Sequence, residues 1–266
     1  MFRQQFYKPA TLAILVSSFS GILLAIPQRA IADDSIPNPL QSKTITLKTD
    51  SNILIAEDVI PDIDGGPSGV EPAGPRSDCF GSQDLPFTAL MPVTEKNVTL
   101  TSSTKPSFFF YVPTSKAKTA KFILWDENRT IIHTNTIAVE NRSGVIEIPL
   151  ENPDFDRDLN VGNSYRWSFS LICSDDDPAE NATVRGWVQR IEVKPDLATQ
   201  LDNASPRDRI NLYANAGIWH ETIATLAHLL ETDPQDAILQ SQWIDLLTSV
   251  GLNEDLAEKS LVSFGN

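Results

Sequence analysis

The chain has 266 residues, 41% of them hydrophobic and 21% charged, values ordinary for a globular protein long enough to bury a core. Its 35 acidic side chains against 21 basic ones give a net charge of −14. A surface of that sign repels phosphate backbones and anionic membranes, so nucleic acid is excluded as an expected partner.

The chain opens with Arg3 and Lys8, an apolar run from Ala10 to Ile26, and then Ala30-Ile31-Ala32. A basic start, an apolar middle and an A-x-A site predict an export signal over residues 1–32, cut after Ala32, and a periplasmic or secreted location. A retained anchor is the alternative reading. About 17 apolar or small residues sit at the lower limit for a span, and Ser17, Ser18 and Ser20 weaken it further. Cleavage would remove three cations and no acid, making the chain more acidic still. Residues 33–78 hold one short alternating run and the Pro- and Gly-rich segment Pro61 to Pro75. That is too little apolar surface to offset chain ordering, and a disordered linker is expected there.

A β domain is expected over residues 79–195. Strand patterns run over Phe87–Met91, Val98–Leu100, Ser107–Val112, Ala120–Trp125, Thr130–Val139, Val145–Leu150, Tyr165–Cys173 and Val184–Val193, with turn residues between them. The strongest is Tyr165-Arg166-Trp167-Ser168-Phe169-Ser170-Leu171-Ile172-Cys173, where large side chains recur at period two. It is expected to be the central strand of an antiparallel, immunoglobulin-like β-sandwich. The two cysteines, Cys79 and Cys173, offer neither a CxxC motif nor zinc-ligand spacing. In an exported protein an even pair predicts a disulfide, closing about 94 residues and stabilising the fold by roughly 4 to 5 kcal/mol on the chain-entropy model.

Past Pro195 the period becomes helical, and residues 196–266 are expected to form a helical domain. Ser205-Pro206 reads as a cap followed by proline at the first helical position. Gly217 breaks the first helix, Trp219 to Leu230 mark a second that Asp233-Pro234 ends, and a third runs through Leu239 and Trp243 to Gly251. Gly217 and Gly251 lie 34 residues apart, the period of tetratricopeptide repeats. One and a half such repeats cannot bury their own faces, so the hairpin is expected to dock on the β domain or on a partner.

Six strings occur in a characteristic order: Thr88-Ala89-Leu90-Met91-Pro92, Lys105 to Pro113, Phe122 to Asn128, Tyr165 to Cys173, Gly186-Trp187-Val188-Gln189-Arg190, and Tyr213 to Trp219. Together they resemble the cyanobacterial family called domain of unknown function 928, over about Cys79 to Leu252. The resemblance implies a bacterial exported protein, and it brings no activity and no site residues.

Constellations for chemistry are thin. Asp154, Asp156 and Asp158 have the opening spacing of a calcium loop, but Leu159 stands where glycine is needed and Tyr165 where glutamate is. Asp175-Asp176-Asp177 with Glu180 forms a second acidic loop. His220-Glu221 begins a helical zinc motif that Ala224 fails to complete. No cofactor and no metal is expected, and the chain is expected not to be an enzyme. A protein partner in the cell envelope is expected instead, in a groove between the β domain and the helices near Trp187 and Trp219. A glycan-binding face is the alternative, with Trp187 as its anchor because Gly186 leaves one side of it open. A hydrolase built on carboxylates of the acidic loops ranks behind both.

Overall fold

The computed structural model describes residues 79–80, 85–93, 98–151, 155 and 157–262. The expected signal (1–32) and linker (33–78) lie outside the described residues, as do Asp154 and Asp156 of the first acidic loop. Two β-sheets and four helices form the rest. The strands are β1 (Thr88–Ala89), β2 (Val98–Thr101), β3 (Ser107–Val112), β4 (Thr119–Trp125), β5 (Ile131–Ala138), β6 (Gly144–Pro149), β7 (Ser164–Ile172), β8 (Ala182–Arg190) and β9 (Leu261–Val262). The helices are α1 (Pro195–Asn203), α2 (Pro206–Asn215), α3 (Trp219–Thr232) and α4 (Ala237–Ser249).

Four strands pair in the order β1-β3-β6-β9 and five in the order β2-β8-β7-β4-β5. The strand from Ser164 is therefore central, as its pattern predicts, with β8 and β4 antiparallel on either side. Trp167, Phe169 and Leu171 point inward and are at most 2% exposed. They meet β3 across the layer: the Phe110 ring lies 4.3 Å from Phe169 and 5.5 Å from Trp167, and Phe108 lies 5.0 Å from Phe122. Such tilted and edge-on pairs contribute about 0.5 to 1.5 kcal/mol each beyond the area they bury.

The sheets are mixed and not purely antiparallel, which corrects the expectation. β2 runs parallel to β8, and β9 runs parallel to β6. Parallel partners need long crossovers. Both pairs join segments far apart in sequence, where no local turn signal could announce them. β9 returns from beyond the helices to the four-stranded sheet, and Gly144 makes room for it: a Cβ there would sit 2.5 Å from Val262 Cγ2.

The run Ser107-Phe108-Phe109-Phe110-Tyr111-Val112 is apolar on both faces because both are covered. Phe108 and Phe110 face the five-stranded sheet, while Phe109 and Tyr111 lie on the opposite side, over which α3 packs. One continuous core runs from Cys79 through Trp167 and Trp219 to Leu256.

Local chemistry sets the helix ends. Ser205 Oγ accepts from the Asp208 amide with Pro206 at the first position, and Gly217 takes a left-handed φ of 69° between α2 and α3. Asp236 caps α4 through the Ile238 and Leu239 amides. The sequence reading starts the helices at Ser205 and so passes over α1. That helix has no side-chain cap and buries only Leu201, so it leaves little periodic signal.

Candidate functional site

The groove expected between sheets and helices is closed. Trp219, expected to line a binding surface, is 2% exposed and donates its indole N–H to the Leu90 carbonyl at 3.0 Å. Around it Met91, Phe108, Trp167 and Ile223 leave about 10 Å³, no more than one water would need. Trp219 is thus a core residue, because the turn at Gly217 aims the first turn of α3 into the layer above β3.

The two residues after it complete the seal. His220 Nδ1 donates to the Ser107 carbonyl at 2.8 Å, which leaves Nε2 to accept from Thr99 Oγ1 at 2.8 Å. Burial drives its pKa down to about 4, so the ring is neutral. The Trp187 carbonyl lies 3.1 Å from the same Thr99 Oγ1 and competes with Nε2 for its one proton. Glu221 Oε1 accepts from Thr101 Oγ1, Ser102 N and Ser103 N at 2.7 to 3.0 Å. Burial raises its pKa against those bonds, and its Oε2 has no partner among the described residues. Glu221 lines the small cleft beside it together with Tyr213 and His228. The His220-Glu221 pair ties α3 to β2 and β3.

Cys79 and Cys173 are joined as a disulfide with Cα atoms 5.4 Å apart, fastening the segment ahead of β1 to the end of β7. In the second acidic loop Asp177 accepts from the Ala179 amide, an ordinary turn cap.

A different place stands out. In the five-stranded sheet the side chains opposite to Trp167 and Phe169 face away from the core, where Arg166 and Arg185 are exposed and Ser168 is buried. There the register aligns Trp125 of β4 with Arg166 of β7, and Arg166 with Trp187 of β8. Both tryptophans are half-buried and Arg166 is exposed, its guanidinium 5.7 Å from the centre of the Trp125 ring. The next row holds Ile123, Ser168 and exposed Arg185, and the one beyond it exposed Lys121, Ser170 and Thr183. Thr134 and Thr136 extend these rows on β5.

The five strands of this sheet contain Lys121, Arg166, Arg185 and Arg190, and no aspartate or glutamate. Arg190 points the other way and bonds the Leu159 and Ser102 carbonyls. The other three cations have no hydrogen-bond or ion-pair partner among the described residues. Asp126 and Glu127 follow β4, and Glu127 accepts from the Ser164 amide at 3.0 Å.

Sequence reasoning reaches Trp187 but neither Trp125 as its counterpart nor the arginine between them. Gly186 does not leave Trp187 open, as expected. It lies opposite Trp167, whose indole fills the space that a side chain would take: a Cβ would fall 2.4 Å from Trp167 Cζ2. The missing signal was available as a count, since strands without a single acid are conspicuous in so acidic a chain.

At the helical end, α3, α4 and residues 257–261 border an open groove of about 770 Å³, lined by Leu230, Trp243, Ile244 and Leu261 among others. Among the described residues no helix is long and apolar enough to cross a membrane. A family model described as Domain of Unknown Function (DUF928) matches residues 71–261. No curated protein matches the chain.

Proposed function

We propose that this chain, which belongs to the DUF928 family, is a non-enzymatic binding module exported to a cyanobacterial envelope, with the outer face of its five-stranded sheet as the ligand face. One observation carries the reading. A protein with 35 acids and 21 bases places three cations with no ion-pair partner among the described residues, and two half-buried tryptophans, on one sheet face whose strands hold no acid. Charge segregated in this way against the net sign of the molecule serves recognition of an anionic group. Export is supported by the leader pattern and by the disulfide, a bond that persists in oxidising compartments.

We read the two facing sheets as an immunoglobulin-like sandwich with parallel edge strands added, and α2–α3 as a tetratricopeptide-like hairpin turned at Gly217. A protein partner is the second reading. The groove against Trp243 and Ile244 favours it, Ile244 being 42% exposed.

The test immobilises the full chain and measures what it retains from fractionated envelope. The variant with Arg166→Glu and Arg185→Glu is expected to release the retained material while unfolding at the same urea concentration as wild type. Retention unchanged by that pair, or lost only on Ile244→Glu, would move the ligand away from the sheet.

A further inference from the structure

We infer that the ligand of this face is an acidic polysaccharide carrying carboxylates on its sugar rings, bound across the strands along the row Trp125, Arg166, Trp187. The inference rests on the reading of the sheet face as the ligand face and adds the class of ligand.

The geometry of the row supplies the argument. β4 and β8 flank β7, so the two indoles are separated by two strand spacings, about 10 Å. That is the scale of a disaccharide, and indole faces offer flat apolar surfaces against which the C–H faces of pyranose rings stack. Between them Arg166 is exposed, and its planar fork matches a carboxylate with two parallel N–H···O bonds. Arg185 lies one row along on the neighbouring strand, in reach of a second acidic group, and Lys121 lies on the row beyond. Thr134 and Thr136 are exposed in the same rows, placing hydroxyls beside the cations as partners for sugar hydroxyls, while Ser170 Oγ is held 2.8 Å from Thr183 Oγ1 and Ser168 is buried.

An acidic protein surface fits less well. Specific protein interfaces have a desolvated apolar centre, whereas here the residue between the tryptophans is an exposed arginine, and the adjoining rows add Arg185 and Lys121. Single-stranded nucleic acid would also use cations and stacking rings. It is charged along its backbone and not on its stacking units, whereas this row sets its central cation directly between the two rings.

The experiment titrates the full chain with polygalacturonate, a polymer of carboxylated sugars, and in parallel with dextran sulfate, neutral dextran and oligothymidylate. Binding to polygalacturonate is expected, with none to neutral dextran. Arg166→Ala and Trp187→Ala are each expected to weaken it at least about tenfold, the effect of losing one charge-assisted or stacking contact. Arg166 is exposed and Trp187 half-buried, so urea unfolding of each variant certifies that it is folded under the binding conditions. Failure to bind polygalacturonate overturns the inference. So does binding that dextran sulfate or oligothymidylate matches and Trp187→Ala leaves unchanged, because that is ion exchange without ring recognition. If polygalacturonate is not bound while Arg166→Glu with Arg185→Glu still releases envelope material, the face stands and only the ligand class falls.

Discussion

The two sheets share a core and differ in what lies behind them. The four-stranded sheet is covered on both sides, by the five-stranded sheet and by α3, and its strands carry one charged residue, Glu147. The five-stranded sheet turns one side to that core, and its outer side carries exposed cations and half-buried rings beside buried Val98, Leu100 and Ser168. The difference shows where this molecule gains stability and where it can afford chemistry: the doubly buried layer holds the fold, which leaves the outer rows of the other layer free for recognition.

The largest expected effect tests that division directly. Phe109→Ala, on the side of β3 that faces the helices, is expected to cost about 3 to 5 kcal/mol. Thr136→Ala, on the free side of β5, is expected to stay within about 0.5 kcal/mol. Urea denaturation of both variants measures the contrast, and similar losses would show that the outer rows are structural.

The next effect comes from the disulfide. Replacing Cys79 and Cys173 by serine reopens a loop spanning 94 residues, with an expected loss of up to roughly 4 kcal/mol. Thermal melting with and without reductant should shift the wild type and leave the double variant unmoved.

A smaller effect separates the covered layer by pH. His220 has a pKa of about 4 in the folded protein against 6.5 unfolded, so between those values the unfolded chain takes up a proton that the folded one refuses. Stability should therefore fall as pH falls from 6.5 to 4, by on the order of 3 kcal/mol. Glu221 works in the opposite sense: burial raises its pKa above 4.5, so its share of stability is lost as pH rises past that value. The His220→Gln variant should flatten the first slope and leave the second in place. Equal slopes in both proteins would contradict the buried, neutral ring.

Much of this contrast was legible in advance. The unbroken apolar run of β3 announces burial on two sides, and the alternation of β7 announces burial on one. Helix ends at Ser205 and Gly217 were legible because those residues act on their immediate neighbours, whereas the Asp236 cap of α4 was passed over. The site was not, since it consists of single residues from three strands brought level by hydrogen-bond register. Nothing local to Trp125 or Trp187 says that Arg166 stands between them. Trp219 misled for a related reason: a tryptophan opening an amphipathic helix looks the same whether its partner is a ligand or the Leu90 carbonyl.

β9 fills the edge of the four-stranded sheet beside β6, the last piece of that sheet to be synthesised. Until it emerges, the amides of Val145 and its neighbours offer an unoccupied template to any other extended chain. A nascent or clipped protein lacking residues from Ser260 onward should therefore be drawn toward self-association, even with its ligand rows and its helices intact. Leu261 and Val262 thus act as a stopper on that edge.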